Sequence, residues 1–182
     1  IYSQINVLNE DFRGQNDTDI IPPQFLGLLT DTEIEFCLAN QDPAGNPTLG
    51  ITRTSTDKDN IGLETDVHYS IMGGKDAWDT HRYLNIWVAD MGDNISGRAS
   101  FPGQSPATED GVVIDPDFFG TIGTAASSLP YHLGRTTTHE IGHYFNLLHV
   151  WGSGSPSCNG DDFVTDTPLS SQNFLGQCPL GI

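Results

Sequence analysis

The chain has 182 residues, with 24 Asp and Glu against 7 Lys and Arg and a formal net charge of −17. So few scattered cations cannot supply the clustered phosphate contacts of a nucleic-acid binder or hold an anionic membrane surface, and no apolar run approaches the roughly 20 residues that cross a bilayer. The hydrophobic content of 36%, including nine Phe, five Tyr and three Trp, is enough to fill one sizeable core.

Along the chain, Ile1, Ile5, Leu8 and Phe12 recur at helical spacing and predict an amphipathic helix over Tyr2–Phe12. After turn-rich sequence around Pro22 and Pro23, Ile34, Phe36 and Leu38 alternate with Glu33, Glu35 and Cys37, the pattern of a strand with one polar face. A loop containing Pro43, Gly45, Pro47 and Gly50 leads to a short strand candidate at 51–54. Residues 57–80 read as irregular, with a turn at Gly73-Gly74. The strongest strand is 83–90, apolar on both faces and therefore expected at a central position. Two more are expected at 97–101 and 111–114. Residues 134–146 read as the main helix, and the sequence beyond Trp151 is loop-like. Helix, strands, long helix and loops in that order indicate one α+β (mixed α/β) domain.

Three cysteines, Cys37, Cys158 and Cys178, leave at least one without an internal partner. Cys37 is expected to be a buried free thiol. Cys158 and Cys178 lie in Gly/Pro/Ser-rich sequence, where disulfides staple the loops of secreted proteins, either to each other or to residues beyond Ile182. A start at Ile1 fits a removed signal or pro-segment and equally a trimmed chain.

The chemistry concentrates in His139-Glu140-Ile141-Gly142-His143, followed by His149. Two histidines four apart lie about 40° apart around a helix and one turn along it, so both imidazoles reach a single metal ion. Glu140 is placed to hydrogen-bond a water on that metal rather than to ligate it. If the helix continued, His149 would lie about 240° round the axis and about 9 Å further along, out of reach. The helix must therefore stop. Asn146 stands where the stop is required, and after glycine asparagine most readily takes the left-handed conformation that ends a helix, so a positive φ is predicted there.

Three neutral imidazoles with one open position suit Zn²⁺, which acidifies bound water and polarises a carbonyl. Glu140 is then the general base that takes the water proton and passes it to the leaving amine. The predicted reaction is peptide-bond hydrolysis without a covalent intermediate. Tyr144, Phe145, Leu147 and Leu148 read as core, while His68, His81 and His132 share no spacing and read as surface or satisfied residues.

The run 139–149 resembles the elongated zinc motif of metzincin metallopeptidases, HExxHxxGxxH. The segments 4–12, 34–39, 50–53, 83–88, 111–114 and 134–139 are similar to one branch of them, the pappalysins (peptidase family M43, cytophagalysin type). The resemblance implies a secreted, extracellular zinc endopeptidase acting on protein or peptide, with a pro-segment removed from the mature chain. It also implies a metzincin-like domain with a twisted five-stranded mixed sheet, a backing helix and an active-site helix. Residues 1–145 are then an N-terminal subdomain and 146–182 the start of an incomplete C-terminal one. Substrate is expected to add as an extended strand at the edge formed by 97–101. Structural Ca²⁺ is implied in the loop after the zinc motif, at Asp161, Asp162, Thr165 and Thr167.

Two departures from the family pattern stand out. Asn146 replaces the usual glycine, and no Met follows Met91, where metzincins carry a Met-containing turn beneath the metal. The resemblance implies that the domain continues past Ile182, with Cys158 and Cys178 paired to cysteines there. The alternatives are a fragment that binds zinc and calcium without turnover, or a binding module, which has no need of Glu140. A gluzincin-type peptidase takes its third ligand from a later Glu, and none follows Glu140.

Overall fold

The computed structural model describes residues 1–92, 95–152, 160–165, 167 and 170. Helix α1 spans Tyr2–Phe12 and buries Gln4 and Leu8, one turn apart on the face carrying Ile5 and Phe12. The strands are β1 (Ile86–Val88), β2 (Gly97–Ala99) and β3 (Val112–Ile114), followed by helix α2 (Arg135–Tyr144). The sheet order is β1-β3-β2, with β1 parallel and β2 antiparallel to β3.

Because side chains alternate along a strand, β3 faces two cores at once. Val112 and Ile114 pack with Leu8 of α1 and Ile141 of α2, while Val113 turns to the other side and joins Ile61, Val67, Trp87 and Met91. The two helices thus cover one face of the sheet and the turns around 61–72 cover the other. No helix among the described residues is long and apolar enough to cross a membrane.

The sheet departs from expectation in two respects. Among the described residues the central strand is β3, and β1, from the 83–90 run, pairs on one side only. Of five expected strands, three form among the described residues, since 32–39, where Glu33 takes a left-handed φ of 61°, and 51–54 enter no ladder. The backbone of Phe36 is already engaged: its N–H donates to Asn9 Oδ1 (2.7 Å) and its carbonyl accepts from Asn9 Nδ2 (3.0 Å). The Asn9 amide takes the place of a neighbouring strand, and a cleft of about 640 Å³, lined by Phe36, Leu38, Ile51, Tyr83 and Ile86 among others, lies between this segment and β1.

The alternation over 33–38 is nonetheless present, with Ile34, Phe36 and Leu38 half-buried and Glu33, Glu35 and Cys37 exposed. Cys37 is therefore an exposed free thiol, not the buried one expected, because it shares the outward face with the two glutamates. Cys158 and Cys178 lie outside the described residues. His68 is also corrected: it is buried edge-on against Trp87, and its Nδ1 has no hydrogen-bond partner among the described residues.

Candidate metal centre

Helix α2 carries His139, Glu140 and His143, and its end is built as the spacing requires. The N–H of Asn146 donates to the His143 carbonyl (2.8 Å) and that of Leu147 to the Gly142 carbonyl (2.9 Å), the paired bonds of a Schellman stop. Asn146 has φ 72°, in the left-handed region predicted for it. The chain then doubles back and delivers His149 to the open side of the helix.

The result is a triangle of ring nitrogens. His139 Nε2 lies 3.0 Å from His143 Nε2, and His149 Nε2 lies 3.1 Å from each of them. The same turn that ends the helix places the Leu147 carbonyl 2.7 Å from His143 Nδ1. A carbonyl only accepts, so Nδ1 donates and the neutral ring turns the lone pair of Nε2 toward the other two imidazoles. One lone pair cannot serve two neighbouring nitrogens, but one cation can serve all three. On a tetrahedral zinc with Zn–N near 2.0–2.1 Å, ligand nitrogens stand about 3.3–3.4 Å apart, so the triangle fits such an ion within a few tenths of an ångström. Burial, then the charges of His143 and His149, hold His139 down to about 4, which keeps it in the neutral form a metal requires. His149 is lowered by burial and by His143.

Glu140 points from the same helix toward the sheet and is 7% exposed; burial pushes its carboxyl up to about 7. Among the described residues, the three histidines are the only group of three or more His, Cys, Asp or Glu side chains with ligand atoms close enough to share an ion. Asp161 and Asp162 instead turn their carboxylates onto backbone N–H groups two residues ahead, at Phe163 (2.8 Å) and Val164 (3.0 Å). Thr165 and Thr167 follow in the same segment, and Asp166 lies outside the described residues.

The motif identifies the three imidazoles but not the groups that hold them. The Leu147 carbonyl is backbone and carries no sequence signal. Trp151 stacks on His149 with ring centroids 4.4 Å apart and an 11° tilt, and Phe101 lies 5.1 Å from His143; the two-residue interval from His149 to Trp151 is the one clue the sequence offers to the first. Glycine at 152 and 160 lets the backbone of the acidic segment meet the Trp151 turn directly, since a Cβ on Gly160 would lie 1.9 Å from the Trp151 carbonyl oxygen.

The chain as a whole is similar to known proteins. The mature mirolysin of Tannerella forsythia, solved in complex with a cleaved peptide, is 47% identical with a TM-score of 0.88, over 94% of this chain and 64% of that one. A promirolysin mutant from the same organism matches at 47% identity and a TM-score of 0.89, over 94% of this chain and 56% of that one. An extracellular metalloprotease of Arthroderma benhamiae is 29% identical over 190 aligned residues, covering all of this chain and 58% of the relative. The chain therefore spans between 56% and 64% of the length of these relatives. A family model described as pregnancy-associated plasma protein-A matches residues 69–180, which include the whole histidine motif, and the chain accordingly belongs to peptidase family M43.

Proposed function

We propose that this chain is the zinc-binding part of a secreted metalloendopeptidase that hydrolyses peptide bonds with Glu140 as general base. The observation that carries the reading is the nitrogen triangle of His139, His143 and His149, set beside a buried carboxylate that a purely structural metal site would not need. The three imidazoles would hold the ion, which supplies Lewis acidity toward the scissile carbonyl and toward water. Glu140 takes the proton of the attacking water on its carboxylate and delivers it to the departing amine nitrogen. The Leu147 carbonyl keeps His143 in the required tautomer, and Trp151 holds the plane of His149.

A peptide substrate is the reading favoured by β2, which among the described residues pairs with β3 alone and so offers its other edge to an added strand. The cleaved peptide bound to mature mirolysin supports the same class. Secretion and a removable pro-segment rest on the names of relatives, an extracellular metalloprotease and a promirolysin. The segments 32–39 and 51–54 complete a five-stranded sheet in this proposal, and 146–182 begins a second subdomain. Structural calcium at Asp161, Asp162, Thr165 and Thr167 belongs to the same proposal, supported by the oxygen-rich composition of the loop.

The decisive experiment measures zinc content and cleavage of a peptide library by the protein carrying this chain, beside its Glu140→Ala variant. One zinc per chain in both and a loss of at least 10²-fold in kcat for the variant are expected. Full activity in Glu140→Ala would overturn the mechanism, and a zinc-free protein that still cleaves would overturn the metal.

A further inference from the structure

Glycine occurs at the start of β2, and its backbone does not require it. Gly97 has no left-handed φ, so any residue could adopt its conformation. What excludes a side chain is space: a Cβ built at Gly97 would stand 2.8 Å from Glu140 Cγ, 3.2 Å from Glu140 Oε1 and 3.0 Å from Ile114 Cδ1. Real Cβ contacts essentially never fall below 3.0 Å, so the middle of the Glu140 side chain would have to move, and its carboxylate with it.

The strand cannot step back to make room. Gly97 is in register with Ile114 of β3. On the opposite face the next residue, Arg98, donates from Nε to the Gly62 carbonyl (3.2 Å) and from Nη2 to the Glu64 carbonyl (3.0 Å). Two residues further on, Ser100 is tied by its N–H to the Gly111 carbonyl (2.9 Å) and by its hydroxyl to Asp110 (2.7 Å). Helix α2 is equally fixed, with Ile141 fully buried under Ile114 and Val112. Glu140 therefore passes through a slot whose floor is bare backbone.

We infer that Gly97 is a positioning residue for Glu140: the missing side chain at the start of the edge strand sets where the carboxylate stands beside the histidine triangle. The inference rests on the reading of Glu140 as general base, and it assigns the strand that borders the site a second task besides offering a free edge.

The test is a double-mutant cycle in the zinc-loaded protein carrying this chain, using wild type, Gly97→Ala, Glu140→Ala and the pair, with Ile114→Val plus Gly97→Ala as a further arm. Thermal unfolding, zinc content, and kcat and KM on a fluorogenic peptide are measured. Gly97→Ala is expected to lower Tm by roughly 3–6 °C and kcat at least tenfold, with KM within twofold and zinc content unchanged. In the Glu140→Ala background the same substitution is expected to leave Tm unchanged or raise it slightly, because the obstructed side chain is gone and alanine restricts the unfolded chain. Equal Tm losses in both backgrounds, rescue by Ile114→Val instead, or a kcat within twofold of wild type would overturn the assignment. Should Glu140→Ala itself keep full activity, the base reading fails alone, and the stability cycle still decides whether Gly97 makes room for Glu140.

Discussion

At Asn146 the backbone takes φ 72°, a conformation that costs most residues about 1–2 kcal/mol and asparagine less. That torsion creates the turn that brings the Leu147 carbonyl to His143 and His149 to the triangle. Asn146→Gly is expected to keep stability within a few tenths of a kcal/mol, whereas Asn146→Ala loses about 1 kcal/mol. Because the alanine turn relaxes away from His143, zinc affinity measured against a competing chelator should also fall about tenfold in that variant; unchanged affinity would uncouple the turn from the site. His68 makes a second prediction, this one of pH dependence. Burial first, and the Arg98 guanidinium 3.3 Å from its Nε2 second, hold it down to about 4 from 6.5, while Glu109 pulls the other way. Between those values the unfolded chain binds more protons than the folded one, so the neutral ring's contribution is complete above pH 6.5 and is lost as pH falls toward 4. The loss approaches about 3 kcal/mol by the usual 1.36 kcal/mol per unit. His68→Gln should flatten the acid limb of stability against pH relative to wild type, and parallel limbs for the two proteins would refute the linkage.

Helix α2 has ten residues, and its N-cap, Gly134, offers no side chain to its free N–H groups, so it is too short to persist by itself. It is held instead by α1. Gln4, fully buried, donates from Nε2 to the Gly134 carbonyl (2.9 Å), and its Oε1 accepts from the Gly120 N–H (2.7 Å) and the Thr137 hydroxyl (2.9 Å). Next to it, Asp11 accepts from the Thr138 hydroxyl, immediately before His139, and pairs with Arg135. Both helices were legible in the sequence, α1 from its apolar period and α2 from the histidine spacing. The node between them was not, because Gln4 lies within an otherwise apolar stripe and its partners are more than a hundred residues away. Gln4→Leu, similar in volume but without hydrogen-bonding groups, strands three buried partners. It is expected to cost about 3 kcal/mol in denaturant unfolding, against about 1 kcal/mol for Thr137→Val. A Gln4→Leu protein as stable as wild type would mean that the node contributes nothing net.

For the whole molecule, what the sequence revealed follows from which signals are local. Alternation over 33–38 marked the half-buried and exposed faces of that segment, and the motif marked the three histidines that the fold gathers and the buried Glu140 beside them. The rank of the strands was not available: 83–90 and 111–114 are both apolar on two faces, and it is the pairing of β3 with β1 on one side and β2 on the other, a non-local choice, that makes it the centre. Net charge is the remaining global property, and it bears on stability directly. The ion pairs seen among the described residues are Arg13 with Asp31, Lys58 with Asp66 and Arg135 with Asp11, and most of the 24 acidic residues of the chain have no cation to meet, with only 7 Lys and Arg available. Self-repulsion should therefore destabilise the folded chain at low salt. Raising NaCl from 20 to 500 mM shortens the Debye length from about 20 Å to about 4 Å, and Tm is expected to climb by several degrees. Calcium chloride at matched ionic strength separates screening from binding: a site at Asp161, Asp162, Thr165 and Thr167 adds about 2.7 kcal/mol when calcium reaches a hundred times its dissociation constant, whereas diffuse screening adds no more than its ionic strength. Equal Tm curves in the two salts would remove calcium from the proposal. A Tm that falls with NaCl would show that attractive pairs outweigh the repulsion expected from a charge of −17.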